Sequence, residues 1–282
     1  MKRLLGLLPA LLLAMVAGAA AASAEPAPRG AAGPELIRAR LAEVPVDVDV
    51  YRPAGAPRGA AVLVHGFTRS RTTLGSHAAA LAAVGVLALT PDLPSTFDFR
   101  RNARGLGELV ALLRAGGDTG PPVERIVLVG FSAGALSSLL AAGSTGVVGY
   151  VGLDPFDRTT AEGAALGRDF APTLAIEAIL LRAPASRCNA QSVAAPWGRL
   201  LRGLVMDRVI EGASHCDFES PSDWLCSLAC GAPDPARQAV VRETLLAAVE
   251  RWLPRPRDAE SSGAADGAGR RDAAAGSAGR PP

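Results

Sequence analysis

Four short runs, nearly all apolar, set the limits on what this chain can become. They are 60–64 (AAVLV), 86–90 (VLALT), 125–129 (RIVLV) and Val147–Leu153 (VVGYVGL). Each is too short for a buried helix and shows no polar alternation, as expected of strands covered on both faces. Residues 46–51 alternate instead and read as an exposed strand, and 173–180 and 204–210 complete the set. Helical stretches lie between them. Residues 75–84 and 133–142 are rich in Ala, and 100–115 carries a stripe through Leu106, Leu109, Val110 and Leu113. A last helix is read over 236–253. Short buried strands alternating with helices predict an α/β fold, a doubly wound, mostly parallel sheet flanked by helices. Such sheets place their ligand site at the carboxyl ends of the strands. Chemistry is therefore to be sought just after each apolar run.

The ends of the chain read differently. Lys2 and Arg3 precede an apolar stretch from Leu4 to Ala20, and Ala22-Ser23-Ala24 offers a small-residue cleavage site before Glu25. That is an export signal over 1–24. Residues 25–34 (EPAPRGAAGP) form a linker, 35–253 the folded domain, and 254–282 a tail with no aliphatic residue larger than Ala, expected to be disordered. The 29 basic residues exceed the 27 acidic ones only through Lys2 and Arg3, so cleavage leaves 27 of each. A neutral chain has no global field for nucleic acid or anionic membrane. No later segment is long and apolar enough to span a membrane. A soluble, secreted or periplasmic monomer is expected. Export also gives meaning to Cys188, Cys216, Cys226 and Cys230, an even number clustered late, which predicts two disulfides with three possible pairings. Their spacing is not that of a zinc ribbon. Neither a metal nor an organic cofactor is implied.

Three motifs follow strands. Gly130-Phe131-Ser132-Ala133-Gly134 joins RIVLV to an Ala-rich helix. In a chain with 31 glycines a bare G-x-S-x-G is weak, but this context is the one nucleophilic chemistry needs. A tight strand-to-helix turn exposes the hydroxyl, and the helix N-terminus faces developing negative charge. A serine that merely caps its helix is the plainer reading. A general base is required, and there are three histidines. His65 precedes the serine, and His77 falls on the first helix at or near the surface. His215, in Gly212-Ala213-Ser214-His215 after the last strand, can reach the serine and is the expected base. His65-Gly66-Phe67 follows AAVLV, so the N–H groups of Phe67 and Ala133 are the expected oxyanion donors. Phe131, Phe67 and Phe156 flank these loops and would suit an apolar acyl or aryl group.

The third member of a triad should lie between Ser132 and His215, at a strand's carboxyl end. Asp154, Asp157, Glu162, Asp169 and Glu177 lie in that interval, and Glu211 sits too close to His215. Glu162 and Asp169 have no strand end to hold them. Asp157 lies three residues past the strand and reads as a cap of the next turn. Glu177 falls inside the run 173–180, its direction set by register. Asp154 directly follows VGYVGL and is favoured, with Glu177 and Asp157 held open behind it.

A strand then HGF, a strand then GFSAG, and a late strand then GASH resemble the α/β-hydrolase family over residues 45–253. Within that family the GFSAG, VGLDPFD, APTLAI and GASHC segments are similar to the chlorophyllase, dienelactone-hydrolase and bacterial polyester-hydrolase (cutinase-like) group. The resemblance implies a Ser132–His215–Asp154 triad and hydrolysis of a small or polymeric carboxylic ester through an acyl-enzyme. Polyester hydrolases carry their acid just after the strand matching PTLAIEA. Here ILLRAPASRCNAQ follows and contains no Asp. The Leu153-Asp154-Pro155 segment looks like that of chlorophyllases, which tilts the resemblance to that branch. The polyester hydrolases also imply a Cys188–Cys216 bridge, leaving Cys226–Cys230, although one helical turn is awkward for a bridge and cross-pairing stays open. Residues 154–172 leave little room for the large cap of peptidases of this fold. An acyltransferase or peptidase on the same residues, or a binding protein without catalysis, are the competing readings.

Overall fold

The computed structural model describes residues 33–159 and 164–255. The export signal, most of the linker, Glu162 and nearly all of the tail lie outside them. An eight-stranded sheet organises the described residues, in spatial order β1-β2-β4-β3-β5-β6-β7-β8. The strands are β1 Glu35–Leu41, β2 Val44–Tyr51, β3 Ala60–Val64, β4 Leu87–Pro91, β5 Ile126–Phe131, β6 Val147–Leu153, β7 Glu177–Arg182 and β8 Leu204–Val209. β2 runs antiparallel to β1 and β4, and all other pairs are parallel.

Alternation along the strands sorts the core onto two faces. Val62, Val64, Ile126 and Leu128 point one way, beneath α2 (Phe99–Ala115) and α3 (Ala133–Ala141). The expected stripe of Leu106, Leu109, Val110 and Leu113 is buried there with Leu136 and Leu139. Each such side chain stabilises the fold by about 1.5–3 kcal/mol. Leu63, Val127, Val129 and Phe131 point the other way, beneath α1 (Gly75–Ala83) and the C-terminal helix Pro235–Trp252. Asp98 caps α2 by accepting from Arg101 N at 2.9 Å, and Asp234 caps the last helix from Arg237 N at 3.0 Å. Three shorter helices, α4 (Leu166–Phe170), α5 (Trp197–Leu200) and α6 (Trp224–Cys230), fill the C-terminal half, so the last helix is α7. Among the described residues no helix is long and apolar enough to cross a membrane.

Two elements depart from expectation. β1 carries no turn signal before β2, because its two-residue hairpin uses Ala42 and Glu43 at φ 46° and 67°. Such turns ordinarily demand Asn or Gly. Here α2 holds the turn from outside, with Glu108 accepting from Ala42 N at 2.6 Å. β7 begins at Glu177 rather than 173, because Ala171–Thr173 forms a 3-10 turn around Pro172.

Candidate functional site

Ser132 stands between β5 and α3 at φ 54°, ψ −121°. A non-glycine residue there costs about 1–3 kcal/mol. Its neighbours hold it: Ser132 N donates to Leu153 O at 3.0 Å, and its carbonyl accepts from Ala135 N at 3.0 Å and Phe156 N at 3.1 Å. The two glycines of the motif permit the turn. A methyl group on Gly130 would strike Ala135, and one on Gly134 would strike the carbonyls of Val64 and His65. β3, β5 and α3 can converge because neither residue has a side chain. The Ser132 hydroxyl does not cap its helix, which removes the plainer reading of this serine.

His215 begins a 3-10 turn, His215–Phe218. Its Nδ1 lies 2.6 Å from Asp154 Oδ2, and both side chains are buried, 9% and 2% exposed. Phe131, one residue before the serine, packs against the imidazole with centroids 4.6 Å apart. Asp154 is itself at φ 39°. Its N–H donates to Leu181 O at 2.7 Å, and its Oδ1 accepts from Ala183 N at 2.9 Å. The hydrogen bond of His215 in this structure is to Asp154, and none joins it to the Ser132 hydroxyl among the described residues. Hydrogen bonds to a nucleophile commonly tighten only when substrate binds.

The His215 loop is anchored from two sides. Asp217, fully buried, accepts from Ser214 N at 2.7 Å, Asp234 N at 2.6 Å and Arg237 Nε at 2.8 Å. Glu219, equally buried, takes a two-pronged bond from Arg69 at 2.9 and 2.6 Å. Burial raises the Glu219 carboxyl above its ordinary value, against the pull of Arg69. Arg69 belongs to the loop after β3, so this pair ties the Gly66–Phe67 segment to the His215 loop. Gly66 lies against the serine; a methyl group on it would sit 3.1 Å from Ser132 Cβ. Ala133 is the first residue of α3, so its N–H has no acceptor within the helix.

A cleft of about 340 Å³ opens beside Ser132. Phe67, Phe97, Phe99, Phe156, Ala133, Arg158 and Cys188 line it with the serine. Phe67 and Phe97 face each other with centroids 5.3 Å apart, and Arg158 lies over Phe99 at 5.8 Å. Phe67 and Phe156, two of the three expected aromatics, line this cleft. Phe131 does not. It is 1% exposed, because alternation along β5 turns it to the same face as Val127 and Val129, beneath His215. Phe97 and Phe99 were missed, since the loop and helix start that carry them show no motif.

The two acids held open behind Asp154 are engaged elsewhere. Asp157 accepts from Gly167 N and Arg168 N, both at 2.8 Å, and from Trp197 Nε1 at 2.9 Å. Its carboxylate meets the first turn of α4, about ten residues on, and not the turn directly after β6. Glu177 opens β7 at the opposite end of the sheet, paired with Arg251 at 2.7 and 2.8 Å and with Trp252 Nε1 at 2.8 Å. These bonds lower its carboxyl to about 2. His65 is buried, its Nδ1 2.9 Å from Gly66 O, and burial lowers it from the usual histidine value. His77 is not at the surface but fully buried, because α1 lies between the sheet and the His215 turn.

The disulfides are Cys188–Cys230 and Cys216–Cys226, which corrects the pairing implied by the polyester hydrolases. Cys226 and Cys230 are four apart on α6, one above the other on a single face, and each is bonded to a different loop instead of to the other. α6 instead lies between two loops, and each cysteine bonds to the loop nearest it. The sulfurs of Cys216, Cys226 and Cys230 approach within 4.8 Å. All are oxidised, and no cysteine among the described residues is free, so they offer no thiolate to a metal.

No protein-family model matches this sequence, and no curated protein does. Solved structures do. A dienelactone hydrolase from Anabaena variabilis is 20% identical, covers 79% of this chain and 100% of its own, and superposes with a TM-score of 0.59. An alpha-beta serine hydrolase homologue from Coxiella burnetii is 15% identical, covers 76% of this chain and 97% of its own, with a TM-score of 0.56. The chain has the α/β-hydrolase fold, without a large cap among the described residues. Since 958 solved chains match, the fold alone does not choose a substrate.

Proposed function

We propose that this protein is an exported serine hydrolase that cleaves carboxylic esters through an acyl-enzyme. The observation that carries the reading is the buried 2.6 Å contact between His215 Nδ1 and Asp154, in the loop beside a serine held in a strained turn. In this reading Ser132 Oγ attacks the ester carbonyl and His215 Nε2 takes its proton. Asp154 fixes the imidazole tautomer and offsets the charge that forms. The N–H groups of Phe67 and Ala133 receive the oxyanion. His215 returns the proton to the departing alcohol, and water then releases the acid by the same route. The aromatic cleft takes an apolar acyl or aryl group; at about 340 Å³ it is at the small end for ligand sites. The acid after β6, in Leu153-Asp154-Pro155, supports the chlorophyllase-like branch. The N-terminal signal and the two bridges support export to an oxidising compartment, and a monomer acting without cofactor completes the reading.

The test is hydrolysis of p-nitrophenyl esters of increasing chain length, with labelling by a fluorophosphonate. The wild-type protein should turn over short and medium esters and label on Ser132. Ser132→Ala should fold normally and lose on the order of 10⁶ in kcat. Comparable turnover by Ser132→Ala, or a folded wild-type protein that neither labels nor hydrolyses, would overturn the proposal.

A further inference from the structure

Asn189 is fully buried and every part of its amide is engaged. Its Oδ1 accepts from Ser186 N and from Ser192 N, each at 2.9 Å. Its Nδ2 donates to Pro184 O at 3.0 Å. The same nitrogen also faces Asp154, 3.2 Å from Oδ1 and 3.4 Å from Oδ2.

The surrounding turn is costly. Ala190, Gln191 and Ser192 have φ of 49°, 58° and 57°, three successive left-handed residues without a glycine. Such backbone persists only where its surroundings over-determine it. Two constraints do so here: the bonds accepted by Asn189 and the Cys188–Cys230 bridge one residue earlier. The result is a rigid support whose donor side meets the carboxylate.

Asp154 has use for it. One oxygen is bonded to His215 Nδ1 and the other to Ala183 N. A donor set across both oxygens fixes the plane of the carboxylate. We propose that Asn189 is a positioning residue that holds Asp154 in the orientation His215 requires. This rests on the reading of Asp154 as the orienting acid. The competing reading is that Asn189 only closes its own turn.

Two substitutions separate these readings. Asn189→Asp keeps an oxygen for Ser186 and Ser192 but replaces the donor facing Asp154 with a carboxylate oxygen. Asn189→Ala removes both functions. Ester turnover is measured alongside unfolding midpoints and the far-downfield proton signal of a histidine N–H bonded to a carboxylate, assigned by its loss in Asp154→Asn. In both variants kcat should fall about 10–100-fold, the range seen on losing the hydrogen-bond partners that orient metal ligands. KM should stay within about twofold, and the downfield proton should move. Wild-type kcat with an unmoved proton in Asn189→Asp would overturn the proposal. So would a loss confined to Asn189→Ala that follows its stability. Should no variant, wild type included, cleave any ester while the proton still responds to residue 189, the esterase reading fails and the positioning of Asp154 stands.

Discussion

Lowering the pH from 7 to 5 should loosen the seam between α1 and the turn that begins at His215, and His77 is the group responsible. This imidazole is fully buried on α1, and neither ring nitrogen has a hydrogen-bond partner. Burial lowers its pKa from 6.5 to about 4; Arg242 adds to the effect, and the Phe218 main chain opposes it without completing a hydrogen bond. The folded protein therefore keeps His77 neutral where the unfolded chain would protonate it. The unfolded state binds the extra proton, so stability is lost as the pH falls from about 6.5 toward 4. With these two values, and 1.36 kcal/mol for each unit, the loss between pH 7 and 5 is about 2 kcal/mol. His77→Leu puts an apolar side chain in the same apolar surroundings and removes the titration. Urea unfolding of both proteins at pH 7 and 5 isolates the effect, because all other groups cancel in the difference. The wild type should lose about 2 kcal/mol more than the variant over this interval. Equal losses would mean that His77 reaches water or a partner in the folded state, and the reasoning would be refuted.

Asp154→Asn should lower kcat by roughly 10⁴ with little change in unfolding midpoint, the cost of losing an orienting carboxylate. Glu177→Gln should leave kcat unchanged, since Glu177 pairs with Arg251 at the far end of the sheet; the opposite result in steady-state assays would transfer the role. Arg69→Met strands the buried Glu219 and should cost about 3–5 kcal/mol at neutral pH. That deficit should shrink in acid, where a protonated Glu219 carries no charge, and urea melts at pH 5 and 7.5 would show the trend.

Central strands were legible because burial on both faces leaves no polar residue to interrupt them, and β3 and β6 begin and end where the apolar runs do. The positions of the candidate serine and acid in the fold follow from a related cause. Ser132 and Asp154 directly follow β5 and β6, so the sheet fixes where they stand, whereas His215 comes six residues past the end of the exposed edge strand β8 and is placed by its loop. What lay at a distance was hidden. Asn189 meets Asp154 across 35 residues and Arg69 meets Glu219 across 150. Neither pair leaves a local pattern. β1 was missed because tertiary contacts stabilise a turn that its own residues disfavour. The bridges differ from those the polyester hydrolases imply because α6, a short helix of seven residues, lies between the Cys188 and Cys216 loops. Without it, nothing shows that Cys226 and Cys230 face two different loops.

The cysteines also impose an order on oxidation. All four lie after residue 187, whereas the strands from β1 to β7 and the serine turn precede them. A chain emerging N-terminus first therefore presents no thiol until its central strands are already available to pair. Nothing in those first 187 residues can enter a wrong bridge. The choice among the three pairings falls to the last stretch alone, where α6 carries Cys226 and Cys230 to their partners.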